Sequence, residues 1–360
     1  MSYISAIETA VPDYCFTQQQ LASFYAASTT DVSDQRKIRI VAAKTGIEHR
    51  YSVIGDFDKH FSDYSFFPAN ALLLPEPSLS ERMALYKQNA TLLSLKAIRK
   101  IDGFDTIKSK ITHLITVTCT GLFAPGLDVE LMRDLDLAPS VQRSSVNFMG
   151  CNAAVIALRN ADAICRSQPD AQVLVVCTEL CTIHFQKRYN EDYLLSNLLF
   201  GDGAAAVLVG GKPLENASTS VHIDQFDSLI LHKGYHDMAW QLSETGFIMN
   251  LSSYVPGLIS ENMATMLESI DLYPDTIDHW AIHPGGKRIL DDFAGALNLS
   301  RQQLEASYDV LKEYGNMSSP SILFVLKQLF GNGNGYKNDR IFAAAFGPGL
   351  SIETMQLSYV

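Results

Sequence analysis

The chain has 360 residues, 47% of them hydrophobic and 19% charged, with a net charge of −11. That length suits two fused subdomains around a large buried core, and the negative balance argues against a nucleic-acid partner. No run approaches the ~18 uninterrupted apolar residues that a membrane helix needs, and no basic region precedes an apolar run at the N-terminus to suggest an export signal. Six cysteines in so long a chain do not make a disulfide framework and fit a reducing cytoplasm.

Along the chain, Arg36-Lys37-Ile38-Arg39-Ile40-Val41-Ala42-Ala43-Lys44 alternates basic and apolar residues. It reads equally as a solvated helix face or as an anion-binding patch. Asp56 to Ser80, with Phe66-Phe67-Pro68 and Leu73-Leu74-Pro75, reads as a long loop, either a surface feature or part of a tunnel entrance. Ala90, Leu93 and Ala97 recur at helical spacing. Strand-like runs follow at Ile111 to Val117, Val173 to Val176, Ala204 to Val209 and Ile341 to Ala345. Strands alternating with helices predict α/β layers. The polar stretch Gly210 to Asn216 is the best internal boundary, dividing the chain into 1–215 and 216–360. Cys177 and Cys181 are four residues apart, but no second pair has metal-site spacing, so no zinc site is expected.

Three segments carry chemistry. In Ser145-Val146-Asn147-Phe148-Met149-Gly150-Cys151-Asn152-Ala153-Ala154, a polar turn runs into an apolar helix, Ala153 to Cys165. A thiol at a helix N-terminus meets unsatisfied N–H groups and the positive end of the dipole, which favour the thiolate. On this window alone a nucleophile and a buried structural thiol are evenly matched. The apolar Trp280-Ala281-Ile282 then delivers His283 into Pro284-Gly285-Gly286, and Asn316 sits in Tyr314-Gly315-Asn316-Met317-Ser318-Ser319-Pro320. Ser319-Pro320 there resembles an N-cap followed by proline at the first helical position, before an apolar helix from Ser321 to Phe330. All three residues lie on turns that open buried helices, where sites of layered α/β folds gather. Cys151, His283 and Asn316 together supply a nucleophile and two oxyanion donors.

With these motifs in order, the chain resembles the type III polyketide synthases, or chalcone-synthase-like enzymes. The likeness runs the length of the chain and includes Gly-Cys-Asn-Ala-Ala at 150–154, His-Pro-Gly-Gly at 283–286, Gly-Asn-Met-Ser-Ser at 315–319, Phe-Gly-Asp-Gly-Ala-Ala-Ala at 200–206 and the closing Phe346-Gly347-Pro348-Gly349-Leu350. Two positions depart from the family pattern: Ala345 stands where that last loop normally begins with glycine, and Met249 stands at the second gatekeeper phenylalanine. The resemblance implies a thiolase-like αβαβα fold of two similar halves, usually a homodimer, although no sequence repeat is visible. It implies an enzyme that needs no cofactor and no metal and takes coenzyme A thioesters as substrates. Cys151 would carry a starter acyl group, and Asn316 and His283 would stabilise the enolate left by decarboxylation of malonyl-CoA. The enolate would attack the Cys151 thioester.

Further roles come from the same resemblance. Phe200 is the gatekeeper, with Cys119, Thr120, Ala124, Cys181, His184, Trp240, Met249 and Ser318 around the pocket. Lys37, Lys44, Arg39 (beside Ile40 at the family's third basic position) and Arg288 are coenzyme A contacts. Gly347, Pro348 and Gly349 form the loop beside the cyclisation cavity. Small residues at Thr120, Ala124 and Cys181 occur in members that admit long acyl chains, which points to a medium- or long-chain fatty acyl-CoA starter. Trp240 stands where chalcone-type members carry a pocket glycine. Either it is packed away in the core or it narrows the cavity and steers the tetraketide from an alkylpyrone towards an alkylresorcinol. An initiating ketoacyl-ACP synthase uses the same three residue types, but Phe200, Gly-Asn-Met-Ser-Ser and Phe-Gly-Pro-Gly favour the polyketide synthase. Thiolases need a second catalytic cysteine, for which this chain has no matching context.

Overall fold

The apolar runs become strands buried on both faces. The computed structural model describes residues 1–214, 220–252, 254–331 and 335–360, so part of the expected boundary, residues 215 and 216, lies outside the described residues. In chain order the elements are β1 (Tyr3–Ala10), β2 (Tyr14–Thr17), α1 (Gln18–Ala27), α2 (Val32–Lys44), β3 (His49–Ser52), α3 (Leu79–Ile98), α4 (Phe104–Ile107), β4 (His113–Thr118), α5 (Leu127–Asp134), β5 (Gln142–Asn147), α6 (Ala153–Ser167) and β6 (Gln172–Leu180). There follow α7 (Glu191–Leu199), β7 (Asp202–Gly210), β8 (Val221–Ile230), β9 (Met238–Ser243), β10 (Gly246–Leu251), α8 (Val255–Ser269), β11 (His279–Ile282), α9 (Lys287–Ala296), α10 (Glu305–Tyr314), α11 (Ser321–Gly331), β12 (Arg340–Gly347) and β13 (Ser351–Tyr359).

Side chains alternate between cores along each central strand, as the two-residue period of a strand requires. In β6, Leu174 and Val176 join one core while Val173, Val175 and Cys177 join a second. In β12, Ile341, Ala343 and Ala345 join that second core while Phe342, Ala344 and Phe346 join a third. Two outer cores, each between a half-sheet and its outer helices, and a central core that itself holds helices make five layers. Helices α1 and α3 lie outside the first half, α6 and α11 fill the shared central core, and α8, α9 and α10 lie outside the second half.

Strand order exposes a duplication that the sequence hides. The sheet runs β11-β12-β13-β8-β1-β7-β6-β4-β5. In the first half β4 pairs parallel with β6, then β6 with β7 and β7 with β1 run antiparallel. In the second half β11 pairs parallel with β12, then β12 with β13 and β13 with β8 run antiparallel. Among the described residues the two half-sheets pair at Tyr3 with His222 and Ile4 with Val221. This is the thiolase-like α/β fold. Helix α6 precedes β6 just as α11 precedes β12, so the turns ahead of these two helices are equivalent positions in the two halves.

The long loop after β3 is ordered from within. Asp56 is fully buried, and its carboxylate accepts the backbone N–H groups of Ser65, Phe66 and Phe67 at 2.8–3.0 Å. This holds Phe67 against Phe24 and Phe185, so a loop that is largely at the surface is pinned to the core by a few buried side chains.

Candidate active site

Cys151 sits in a 3₁₀ turn, Gly150–Asn152, directly ahead of α6. Two glycines seat the turn. Gly150 has φ +81°, and a Cβ there would overlap Pro348. A Cβ on Gly347 would lie 2.5 Å from Asn152 Oδ1. The 347–349 loop therefore packs against both neighbours of Cys151, and Gly349 N–H donates to the Met238 carbonyl at 2.8 Å.

The thiol faces Asn316, with Sγ 4.0 Å from Oδ1. That Oδ1 accepts the Ser318 N–H at 2.8 Å, and Nδ2 donates to the Gly285 carbonyl at 3.3 Å. An amide nitrogen has two hydrogens, so one donor is left for a ligand. Ser318 adopts φ 60°, which turns its N–H back onto Asn316. His283 follows β11 and is 1% exposed, and neither ring nitrogen has a hydrogen-bond partner among the described residues. A buried imidazole without partners is costly, and its ring lies beside Gly285, whose carbonyl accepts from Asn316, so open hydrogen-bonding capacity lies next to that carboxamide.

Burial reverses one expectation. It pushes the Cys151 thiol up to about 12 despite the helix N-terminus, and it pushes His283 down to about 3. Burial thus disfavours the charged form of each group, and loss of solvation outweighs the helix dipole at Cys151.

Ser319 does not cap the following helix. Its hydroxyl donates to Glu179 Oε1 at 2.7 Å, and α11 begins at Ser321. Glu179 is a polar centre that sequence reasoning missed. It is fully buried and also accepts Cys119 N–H at 2.9 Å and the Thr120 hydroxyl at 2.7 Å. Burial raises its carboxyl to about 7, against the pull of these donors. The available signal was a lone carboxylate inside an apolar strand.

A cavity of about 40 Å³ adjoins the site. Phe200, Cys181, His184, Trp240 and Met249 line it together with Leu21, Phe24, Phe57 and Phe185. Trp240 is thus a cavity wall rather than a core residue. It lies opposite Met249 in the β9–β10 hairpin, and its indole N–H donates to the Cys119 carbonyl at 2.9 Å. His184 accepts Phe247 N–H through Nδ1 at 3.1 Å, donates through Nε2 to the Thr120 carbonyl at 2.7 Å, and stacks on Phe247.

The other expected pocket residues lie elsewhere. Thr120 does not line this cavity, because its hydroxyl is held by Glu179 and accepts the Leu180 N–H at 2.9 Å. Ala124 is exposed in the loop after β4 and does not reach the cavity either. Cys119 lies behind the nucleophile turn, where its sulfur accepts Gly150 N–H at 3.0 Å. Lys37, Arg39 and Lys44 are exposed along α2, whose Ile38 and Ala42 face the core, and Lys37 pairs with Asp34 at 3.1 Å. Arg288 is exposed on the first turn of α9, 3.5 Å from Asp292. Beside it, the Lys287 side chain packs on Gly46, two residues beyond Lys44 at the end of α2. Glu48, His49 and Glu313 bring ligand atoms together at the surface, but Lys312 already lies 3.4 Å from Glu48 and 3.3 Å from Glu313.

The sequence matches the chalcone and stilbene synthases, with their N-terminal domain over residues 1–213 and their C-terminal domain over residues 225–360. The alpha-pyrone synthesis polyketide synthase-like Pks18 of Mycobacterium tuberculosis is 31% identical over 368 residues, covering 99% of this chain and 90% of that protein. Among solved structures, PKS-I from the brown alga Ectocarpus siliculosus superposes with TM-score 0.91 at 28% identity, covering 100% of this chain and 98% of that one. The 1,3,6,8-tetrahydroxynaphthalene synthase of Streptomyces coelicolor, a bacterial type III polyketide synthase, gives TM-score 0.88 at 25% identity and covers 100% of this chain.

The raised carboxyl of Glu179 gives a testable pH signature. Its value of about 7 in the fold, against an ordinary 4.5, means stability present below pH 4.5 is lost as pH rises to 7. Wild type should lose up to about 3 kcal/mol relative to Glu179→Gln across that window. Denaturant melts of both proteins from pH 4.5 to 8 measure it, and parallel curves would contradict the assignment.

Proposed function

Because the chain belongs to the chalcone and stilbene synthase family and is a condensing acyltransferase acting on coenzyme A thioesters, we propose that it extends a medium- or long-chain fatty acyl starter with malonyl-CoA on Cys151. The observation that carries this reading is the buried thiol facing Asn316, with open donors on Asn316 and His283, beside a cavity lined in large part by aromatic and aliphatic side chains.

In this reading His283 takes the Cys151 proton as the thiol attacks the starter thioester, and coenzyme A leaves as its thiolate, so the imidazolium is kept for the next step. Malonyl-CoA then loses carbon dioxide, and the electron pair of the broken C–C bond becomes an enolate. The open Asn316 N–H and the imidazolium donate to its oxygen in a site without water. The enolate carbon attacks the Cys151 thioester, expelling the thiolate and adding two carbons. Phe200 separates the entrance from the cavity. Lys37, Arg39, Lys44 and Arg288 would hold coenzyme A at the rim. Free cysteines throughout suit a reducing cytoplasm. The exposed edge strand β5, with exposed Leu122, Val129 and Met149, supports a homodimer whose interface would cover Ala124. Trp240 against Met249 narrows the cavity and favours aldol closure to an alkylresorcinol. Lactone closure to an alkylpyrone is the second reading, favoured by the name of the mycobacterial relative.

Four outcomes follow from this assignment. Asn316→Ala should slow malonyl decarboxylation on the order of 10²–10³-fold, the usual cost of one oxyanion donor. Starter loading, read as radiolabel on Cys151, should persist, and an unaffected decarboxylation rate would remove Asn316 from the mechanism. Starter affinity should climb by about 0.8 kcal/mol per buried methylene until the cavity is filled. Cys181→Phe should shorten the preferred acyl chain. A screen of acyl-CoA starters with products identified by mass spectrometry reads both, and a preference for compact aromatic starters with no gain from length would overturn the fatty acyl assignment. Finally, Trp240→Gly should lower the alkylresorcinol-to-alkylpyrone ratio, and wild type making pyrones alone would favour lactone closure.

A further inference from the structure

The last turn of α7 carries the gatekeeper, and its carbonyls would be left unsatisfied in an isolated helix. Each has a specific donor here. Arg50 Nη1 donates to the carbonyls of Asn197 at 2.9 Å and Phe200 at 2.6 Å. Gln18 Nε2 donates to Leu198 at 2.8 Å. The backbone N–H of Asn316 donates to Leu199 at 2.9 Å, and Gly201 N–H returns a bond to the Asn316 carbonyl at 2.9 Å. Phe200 and Asn316 thus form a parallel bridge. Backbone touches backbone along this joint. A Cβ on Gly315, which has φ +67°, would lie 2.8 Å from the Leu199 oxygen and 2.9 Å from the Arg50 stem. A Cβ on Gly201 would lie 2.8 Å from the Tyr314 oxygen.

Arg50 comes from β3 and is 1% exposed. Its Nε donates to Gln18 Oε1 at 3.0 Å, and Gln18 is held in turn by Thr45 at 3.1 Å. One planar cation therefore spans two carbonyls at the negative end of α7 and packs its stem on the glycine before Asn316.

We propose that Arg50 is a positioning residue that clamps the gatekeeper Phe200 and the carboxamide-bearing Asn316 into one unit, so that extension depends on it and starter loading does not. The proposal rests on the reading of Asn316 as an enolate donor. Without Arg50 the carbonyls of Asn197 and Phe200 lose their donor, the α7 turn shifts, and Asn316 moves with it through two backbone hydrogen bonds. The Cys151 turn is seated separately by the 347–349 loop and is left in place.

The test compares wild type with Arg50→Gln, Arg50→Lys and Asn316→Ala as full chains, with malonyl-CoA and a fatty acyl-CoA. Displacement by a fraction of an ångström predicts a drop in malonyl decarboxylation of about 10- to 100-fold in Arg50→Gln, with Cys151 acylation kept within about twofold. Prematurely hydrolysed chains should rise, because Phe200 no longer seals the cavity. Arg50→Lys should fall between, since an ammonium can serve one carbonyl but not both. Wild-type decarboxylation in both variants overturns the proposal, as does an equal loss of loading and decarboxylation, which marks a merely structural role. If Arg50→Gln does not fold, Arg50→Lys is judged by the same split. If Asn316→Ala decarboxylates normally, the enolate reading fails. If Asn316→Ala is impaired and the Arg50 variants are not, the clamp alone fails.

Discussion

The site depends on one constraint, the sharing of a single apolar core by α6 and α11. Each helix is buried against strands of both halves, and neither half could cover its inner face alone. This duplicated packing brings the turn before α6, with Cys151, to the turn before α11, with Asn316 and Ser318. The end of β11 adds His283. The chemistry is assembled from distant parts of the chain because the two half-sheets meet back to back.

Dryness is the second consequence. In a core this deep, desolvation outweighs local dipoles and sets the charge states. Burial disfavours the thiolate of Cys151 and the imidazolium of His283. Glu179, held by four donors, is raised as well. The site is thus set among buried side chains. Open donors on His283 and Asn316 give it affinity for charge that develops only when substrate arrives, which is the condition for favouring a transition state over a ground state. Water exclusion also suits an enolate that a proton would quench.

Much of this was legible in the sequence where local pattern and tertiary role agree. Runs such as Val173 to Val176 read as buried strands because both faces are apolar, and Ala153 to Cys165 read as a buried helix. The residues missed are polar ones whose partners are remote. Glu179 gains meaning from Ser319, Arg50 from carbonyls of α7, and Asp56 from amides nine to eleven residues on. Ser319 was misread because Ser-Pro before an apolar helix is a capping pattern, and only tertiary contact assigns its hydroxyl to Glu179. The duplication of the halves was invisible because strand order, not residue identity, repeats.

The central claim is that one thiol carries the growing chain through decarboxylative extension. Intact-protein mass spectrometry of an enzyme quenched during turnover with a fatty acyl-CoA and malonyl-CoA tests it directly. The account predicts adducts confined to the peptide containing Cys151, first the starter acyl group and then the same group lengthened by successive ketide units, and none on Cys151→Ala. Extended chains found only in solution, or adducts that persist on Cys151→Ala, would contradict it.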